Sequence, residues 1–185
     1  MTRAVLLVRH TEVALAWRGR CYGASDPGLS RAGAAHAAEV ARALAPWKPD
    51  VVVHSGLRRA QHLAQRLAAT AGVTLHTDAG WRERDFGDWE GRSWAAIYRC
   101  SGSAMDGMID APDSFRPGGG ETTTELADRA VLALSRLPDW RVAVVSHGGP
   151  IAALRGRQAG MPVRDWLALV PRLGDACEFA DTIAE

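Results

Sequence analysis

Residues 4–8, Ala-Val-Leu-Leu-Val, are apolar throughout and present no polar face. Such a run suits a strand buried on both sides rather than one at a solvated sheet surface. Residues 50–54, rich in valine, and 141–146 predict two more buried strands, and 74–77 a weaker one. Between the strands the period lengthens. Ser30 is a candidate helix N-cap, and the alanine-rich sequence beyond it favours helix as far as Leu44, before Pro46 stops it. Leu57, Ala60, Leu63, Ala64 and Leu67 recur along one stripe and predict a helix over 56–71 that ends at Gly72. Leu126, Ala130, Val131 and Leu134 do the same for 122–137. A helical turn over 93–98, a helix from Pro150 to Arg157, and a last strand over 166–170 complete the pattern.

Strands alternating with helices of this length predict an α/β fold, a three-layer αβα sandwich on a mostly parallel central sheet. The chain has 185 residues, which suits one domain over 1–185 and needs no disulfide or metal to build a core. The Gly, Asp and Pro content near 99–120 marks a loop-rich insertion that fits a lid or rim. Charge excludes one class of partner. Lys plus Arg number 22 against 21 Asp plus Glu, without the basic excess of a nucleic-acid binder. With 47% apolar and 23% charged residues, the chain is neither disordered nor collagen-like. Cys21, Cys100 and Cys177 form no CxxC or Cys/His spacing, so neither a disulfide framework nor a structural zinc site is expected. The N-terminal apolar run is too short for a signal peptide or a membrane span. These features predict a cytoplasmic protein with no membrane partner, and the near-zero net charge is compatible with a homodimer.

The chemistry gathers at three predicted strand ends, where an open α/β sheet collects its ligands. The first delivers Arg9 and His10, the second His54, Ser55, Arg58 and Arg59, and the fourth Ser146 and His147. Guanidinium forks and imidazoles brought to one edge make a pocket for a phosphate dianion. In Ser146-His147-Gly148-Gly149-Pro150 the glycines permit close backbone approach and Pro150 suits the first helical position, where free amides favour an anion. Taken alone, that segment is equally a plain strand-to-helix turn. His36, His62 and His76 read as structural or solvated, and His54 as orienting its neighbours.

Five blocks in order, LVRHTE (residues 7–12), SGLRRA (55–60), ERDFGDWEG (83–91), GGE (119–121) and VSHGG (145–149), resemble the histidine phosphatase, or phosphoglycerate mutase-like, superfamily. RHT and WRGRCYG look most like its small α-ribazole phosphatase-like branch. The resemblance implies a phosphoglycerate mutase-like fold and a covalent mechanism. His10 would be the nucleophile, Arg9, Arg59 and His147 would hold the phosphoryl oxygens, and Glu83 would protonate the leaving alkoxide. The pattern Ser-x-Leu-x-Arg-Ala assigns the phosphate contact to Arg59 and leaves Arg58 at the rim. Asp85, Asp88 and Glu90 are lesser rivals of Glu83. Cys21, Tyr22 and Gly23 align with a loop that closes over substrate, and Gly148 would offer its amide, although Cys21 also reads as an inert packing residue. Thr11 stands where many relatives have glycine, Val13 where they have a hydroxyl residue, and Ala16 where mutases often have asparagine. No cofactor and no metal are expected, because phosphoryl transfer of this kind needs mainly positioning and charge compensation. The implied activity is phosphomonoester hydrolysis on a small phosphorylated metabolite, with α-ribazole 5′-phosphate as a candidate. A phosphoglycerate mutase and a non-catalytic phosphate binder are the alternatives. Arg82, Arg84, Arg92, Arg99 and Arg116 are candidates to frame an anionic substrate, and Trp17, Tyr22 and Trp89 to stack on a ring.

Overall fold

The structure, a computed structural model, describes residues 3–179. Its five strands are β1 (Ala4–Arg9), β2 (Val51–His54), β3 (Thr74–Thr77), β4 (Arg141–Ser146) and β5 (Ala176–Phe179), in the sheet order β3-β2-β4-β1-β5. The first four are parallel, and β5 runs antiparallel to β1. Each strand alternates its side chains between the two faces. Leu6, Val8, Val52, Ala143 and Val145 therefore meet α1 (Arg31–Leu44) and α2 (Arg58–Ala71) on one side. Val5, Leu7, Val51, Val53, Val142 and Val144 meet residues of α5 (Thr123–Ser135) and α6 (Gly148–Gln158) on the other. Continuous apolar runs are needed because both faces are covered, and the result is the expected three-layer αβα sandwich. The weak pattern of residues 74–77 also has its reason: β3 is an edge strand, with Thr74, His76 and Thr77 exposed.

The helix ends follow the local chemistry. Ser30 Oγ accepts the N–H of Gly33 at 2.8 Å at the start of α1. Thr122 and Glu125 form a reciprocal capping box at the start of α5. Gly72 closes α2 in the left-handed region, at φ 71°. Between β3 and α5, α3 (Trp94–Ser101), α4 (Gly107–Asp110) and short 3-10 turns wrap a separate small core of Cys21, Trp89 and Ile97 with Phe86, Met105, Met108 and Phe115. Residues 101–120 are thus folded into helical turns, which set Met108 and Ile109 beside the sheet's carboxyl edge.

Residues 166–170 do not form the expected last strand. They lie in a 3-10 helix, Val163–Leu169, that starts after Pro162 with Asp165 in its first turn. Trp166 packs there against Gly156 of α6, where an added Cβ would fall 2.2 Å from the indole nitrogen. The free edge of β1 is paired instead by β5, whose Cys177 and Phe179 pack with one core and Ala176 with the other. The helix expected from Pro150 begins earlier, at Gly148 with His147 as its N-cap residue, so Gly148 and Gly149 form its first turn.

Candidate active site

β1, β4 and β2 are neighbours, and their carboxyl ends bring the polar groups of the sequence to one place. His10 follows β1 and His147 follows β4; the two ring centroids are 5.1 Å apart and the rings are tilted by 57°. Both rings are buried. His10 Nδ1 lies 2.7 Å from the carbonyl oxygen of Thr11, which only accepts, so the proton sits on Nδ1 and the lone pair on Nε2. Burial, then the charges of Arg59 and Arg9, lowers the His10 pKa to about 3 against a weaker opposing pull from the Thr11 bond. The ring is therefore a neutral imidazole near pH 7. His147 is likewise held well below its ordinary range by burial, then by Arg59, His10 and Arg9. Ser55 Oγ accepts the N–H of Leu57 at 3.3 Å and lies 2.8 Å from His147 Nε2. With the serine hydroxyl donating to Nε2, the His147 proton sits on Nδ1.

Arg59, in the first turn of α2, is 0% exposed and points inward. It donates to the carbonyl oxygens of Ser25 and Gly23, each at 2.7 Å, and its guanidinium lies 5.3 Å from the centre of the Tyr22 ring. Arg9 donates to the carbonyl of Pro171 at 2.7 Å. Arg9 Nε, Arg59 Nε and His147 Nδ1 nonetheless remain buried without a partner; among the described residues the fourth such atom is Trp81 Nε1 in the core. A buried donor left unpaired costs about 1–3 kcal/mol. Three of them, two on guanidinium groups, gather unused N–H capacity and positive charge near His10.

Glu83 supplies a carboxylate at the same place. One oxygen accepts the N–H of Arg84 at 2.9 Å and the other the N–H of Gly149, in the first turn of α6, at 3.1 Å. A Cβ on Gly149 would lie 2.2 Å from Glu83 Oε1, so only glycine allows this approach. Arg9, His10, Tyr22, Glu83, Gly148 and Gly149 line a cavity of about 430 Å³, with Arg59 and His147 buried behind its wall. Cys21 and Gly23 do not line it. Cys21 is packed in the small core, and burial, then the charges of Glu90 and Glu83, pushes its thiol up to about 12. Gly23 acts through its carbonyl, on Arg59. Of the arginines expected to frame a substrate, Arg84 lines the cavity; Arg116 pairs with Glu125 and Arg92 contacts Cys100. Arg58 is exposed. His54 accepts the N–H of Gly56 and contacts Thr77, which orients the turn into α2.

A model of the histidine phosphatase superfamily (branch 1) matches residues 5–178. The chain belongs to this superfamily. It is 32% identical over 180 residues to the glucosyl-3-phosphoglycerate phosphatase of Mycobacterium tuberculosis, covering 90% of this chain and 80% of that protein. The mycobacterial glucosyl-3-phosphoglycerate phosphatase solved with inorganic phosphate superposes with a TM-score of 0.84 at 29% identity, over 97% of this chain and 90% of the other. The α-ribazole phosphatase of Shigella flexneri superposes with a TM-score of 0.83 over 96% and 90% of the chains; at 24% identity this likeness is one of fold.

Within the superfamily framework, the departure at Thr11 is absorbed locally. Its hydroxyl donates to the carbonyl of Gly33 at 2.8 Å, so it ties the end of β1 to α1. Two residues that hold the site were not singled out for that role by their pattern. Glu90 accepts the N–H groups of Gly23, Ala24, Ser25 and Phe86 at 2.9–3.2 Å, and the Ser25 hydroxyl. Burial opposes its ionisation, but these bonds outweigh it and hold the carboxyl below the usual range. Glu90 is thus not a rival acid but the clamp on the loop whose carbonyls hold Arg59. Arg129, on α5, makes a two-point pair with Glu121 at 2.8 Å and donates to the carbonyls of Gly80, Arg82 and Glu83. The available signal was its place between Leu126 and Ala130, a charge beside an apolar stripe.

Proposed function

We propose that this histidine phosphatase hydrolyses a small phosphomonoester through a phosphohistidine at His10. The observation that carries the reading is the set of unpaired buried donors, Arg9 Nε, Arg59 Nε and His147 Nδ1, around a neutral imidazole. In the first step His10 Nε2 attacks phosphorus, the bond to the ester oxygen breaks, and Glu83 gives its proton to the leaving alkoxide. The two guanidinium groups and His147 compensate the charge on the three transferring oxygens, as phosphoryl transfer requires, without a metal ion. In the second step the Glu83 carboxylate takes a proton from water, which attacks the phosphohistidine, and inorganic phosphate leaves. Relatives bring two candidate substrates into view, α-ribazole 5′-phosphate and glucosyl-3-phosphoglycerate. A cytoplasmic location belongs to the same reading, supported by Cys21, Cys100 and Cys177, all unpaired. Among the described residues no helix is long and apolar enough to cross a membrane.

The test is p-nitrophenyl phosphate turnover with and without EDTA, joined to trapping of the phosphoenzyme in wild type and His10→Ala. The expected result is phosphate release that survives chelation and an acid-labile, base-stable phosphoenzyme missing from the variant. A folded His10→Ala protein with undiminished turnover would refute the assignment. Phosphate binding with no turnover of any ester would establish the non-catalytic alternative.

A further inference from the structure

We infer that the alcohol released from the substrate is apolar, carrying an aromatic or branched alkyl group, and this rests on the phosphatase reading. The cavity of about 430 Å³ is within the size of a whole small-molecule site, so a phosphoryl group at Arg9 and His10 fills only one end. The remaining wall is built from two separate parts of the chain. The middle segment supplies Phe86, Trp94 and Met108, and the 3-10 helix Val163–Leu169 with the residue after it supplies Val163, Trp166 and Val170.

Several polar groups set in this wall are engaged by the protein. Arg84 donates to Thr123 Oγ1 at 3.0 Å, and its charge faces Glu83 and Glu121. Thr123 in turn donates to the carbonyl of Met108 at 2.6 Å. The Trp166 indole N–H is bound to the carbonyl of Met161 at 2.9 Å, so it offers the ligand its ring. Arg20, at the rim, is bound to the carbonyls of Ala16 and Gly91. A sugar placed against Phe86, Met108, Val163 and Val170 would lose water without gaining hydrogen bonds from those side chains, whereas an apolar group loses nothing by leaving water. The wall therefore selects by apolar contact.

The experiment compares kcat/KM for primary alkyl monoesters of similar leaving-group chemistry: 2-phenylethyl phosphate, 3-methylbutyl phosphate, phosphoserine and 3-phosphoglycerate. The two apolar esters are expected to exceed the two polar ones by about tenfold or more, the factor that burial of one such side group supplies. Trp166→Ala should raise KM for 2-phenylethyl phosphate while the inhibition constant of inorganic phosphate stays unchanged. Leu167→Arg, at a position 75% exposed on the cavity rim, should shift preference toward 3-phosphoglycerate without disturbing the fold. Equal or better turnover of the polar esters by wild type would overturn this inference and leave the phosphatase reading standing. Absence of turnover with all four esters would instead overturn that reading, and the inference with it.

Discussion

A buried neutral imidazole at His10 has a consequence for stability that needs no substrate to test. In the unfolded chain the ring has a pKa near 6.5, and in the folded protein about 3. Between these values the unfolded state binds a proton that the native state refuses. Stability therefore falls as pH drops through 6.5 toward 3, and above 6.5 the penalty is absent because neither state is protonated. At pH 5 the penalty from this one ring is about 2 kcal/mol. His10→Gln removes the titration and keeps a side chain able to donate to the carbonyl of Thr11. Urea unfolding of both proteins at pH 8 and pH 5 gives the difference, since the burial that depresses His54 and dominates the depression of His147 is common to both. Wild type should lose about 2 kcal/mol more than His10→Gln over this interval. Saturating phosphate should reduce the wild-type loss, because a bound dianion supplies the countercharge that a protonated imidazole lacks. Equal acid losses in the two proteins would show that His10 takes up its proton in the folded state as it does in water. The free Nε2 lone pair on which the mechanism depends would then be gone at mildly acid pH.

Two further outcomes follow from the supporting contacts. Gly149→Ala places a Cβ where Glu83 Oε1 now lies, at 2.2 Å, and that oxygen ends a flexible side chain. It should lower kcat by about tenfold or more through displacement of the acid, a loss of at least about 1.4 kcal/mol in the transition state, with melting temperature and phosphate inhibition little changed; an unaltered kcat would remove Glu83 from its role. Glu90→Gln exchanges a charged acceptor of several N–H groups for a neutral amide, and should cost about 1–3 kcal/mol in stability while weakening phosphate inhibition through Arg59. Normal phosphate inhibition in that variant, measured against a lowered melting temperature, would show that Arg59 does not depend on the loop.

The architecture was legible because its signals are local. The apolar runs of β1 and β4, the stripe on α2, Ser30 as a cap and Gly72 as a terminator each act within a few residues of themselves. The same holds for the placement of Arg9, His10 and His147, since a strand followed by a charged pair or by glycines says where the pair will stand once the sheet forms. β5 was missed because Ala176–Phe179 is four residues long and carries little pattern, while 166–170 carries more. The open edge of β1 chose between them.

What the sequence determined by itself was the layered α/β plan, the family-like blocks and the identity of the residues at the strand ends. Only the tertiary structure decided their state. The proton position on His147 depends on Ser55 of another strand's turn, the depressed pKa of His10 on burial beside Arg59, and the role of Glu90 on amides more than 60 positions away. Hydrophobic period is a property of neighbours along the chain, whereas the partner and the solvation of a polar group are properties of the folded whole. That is why the candidates could be named in advance, while the charge each carries and the apolar character of the wall opposite them could not.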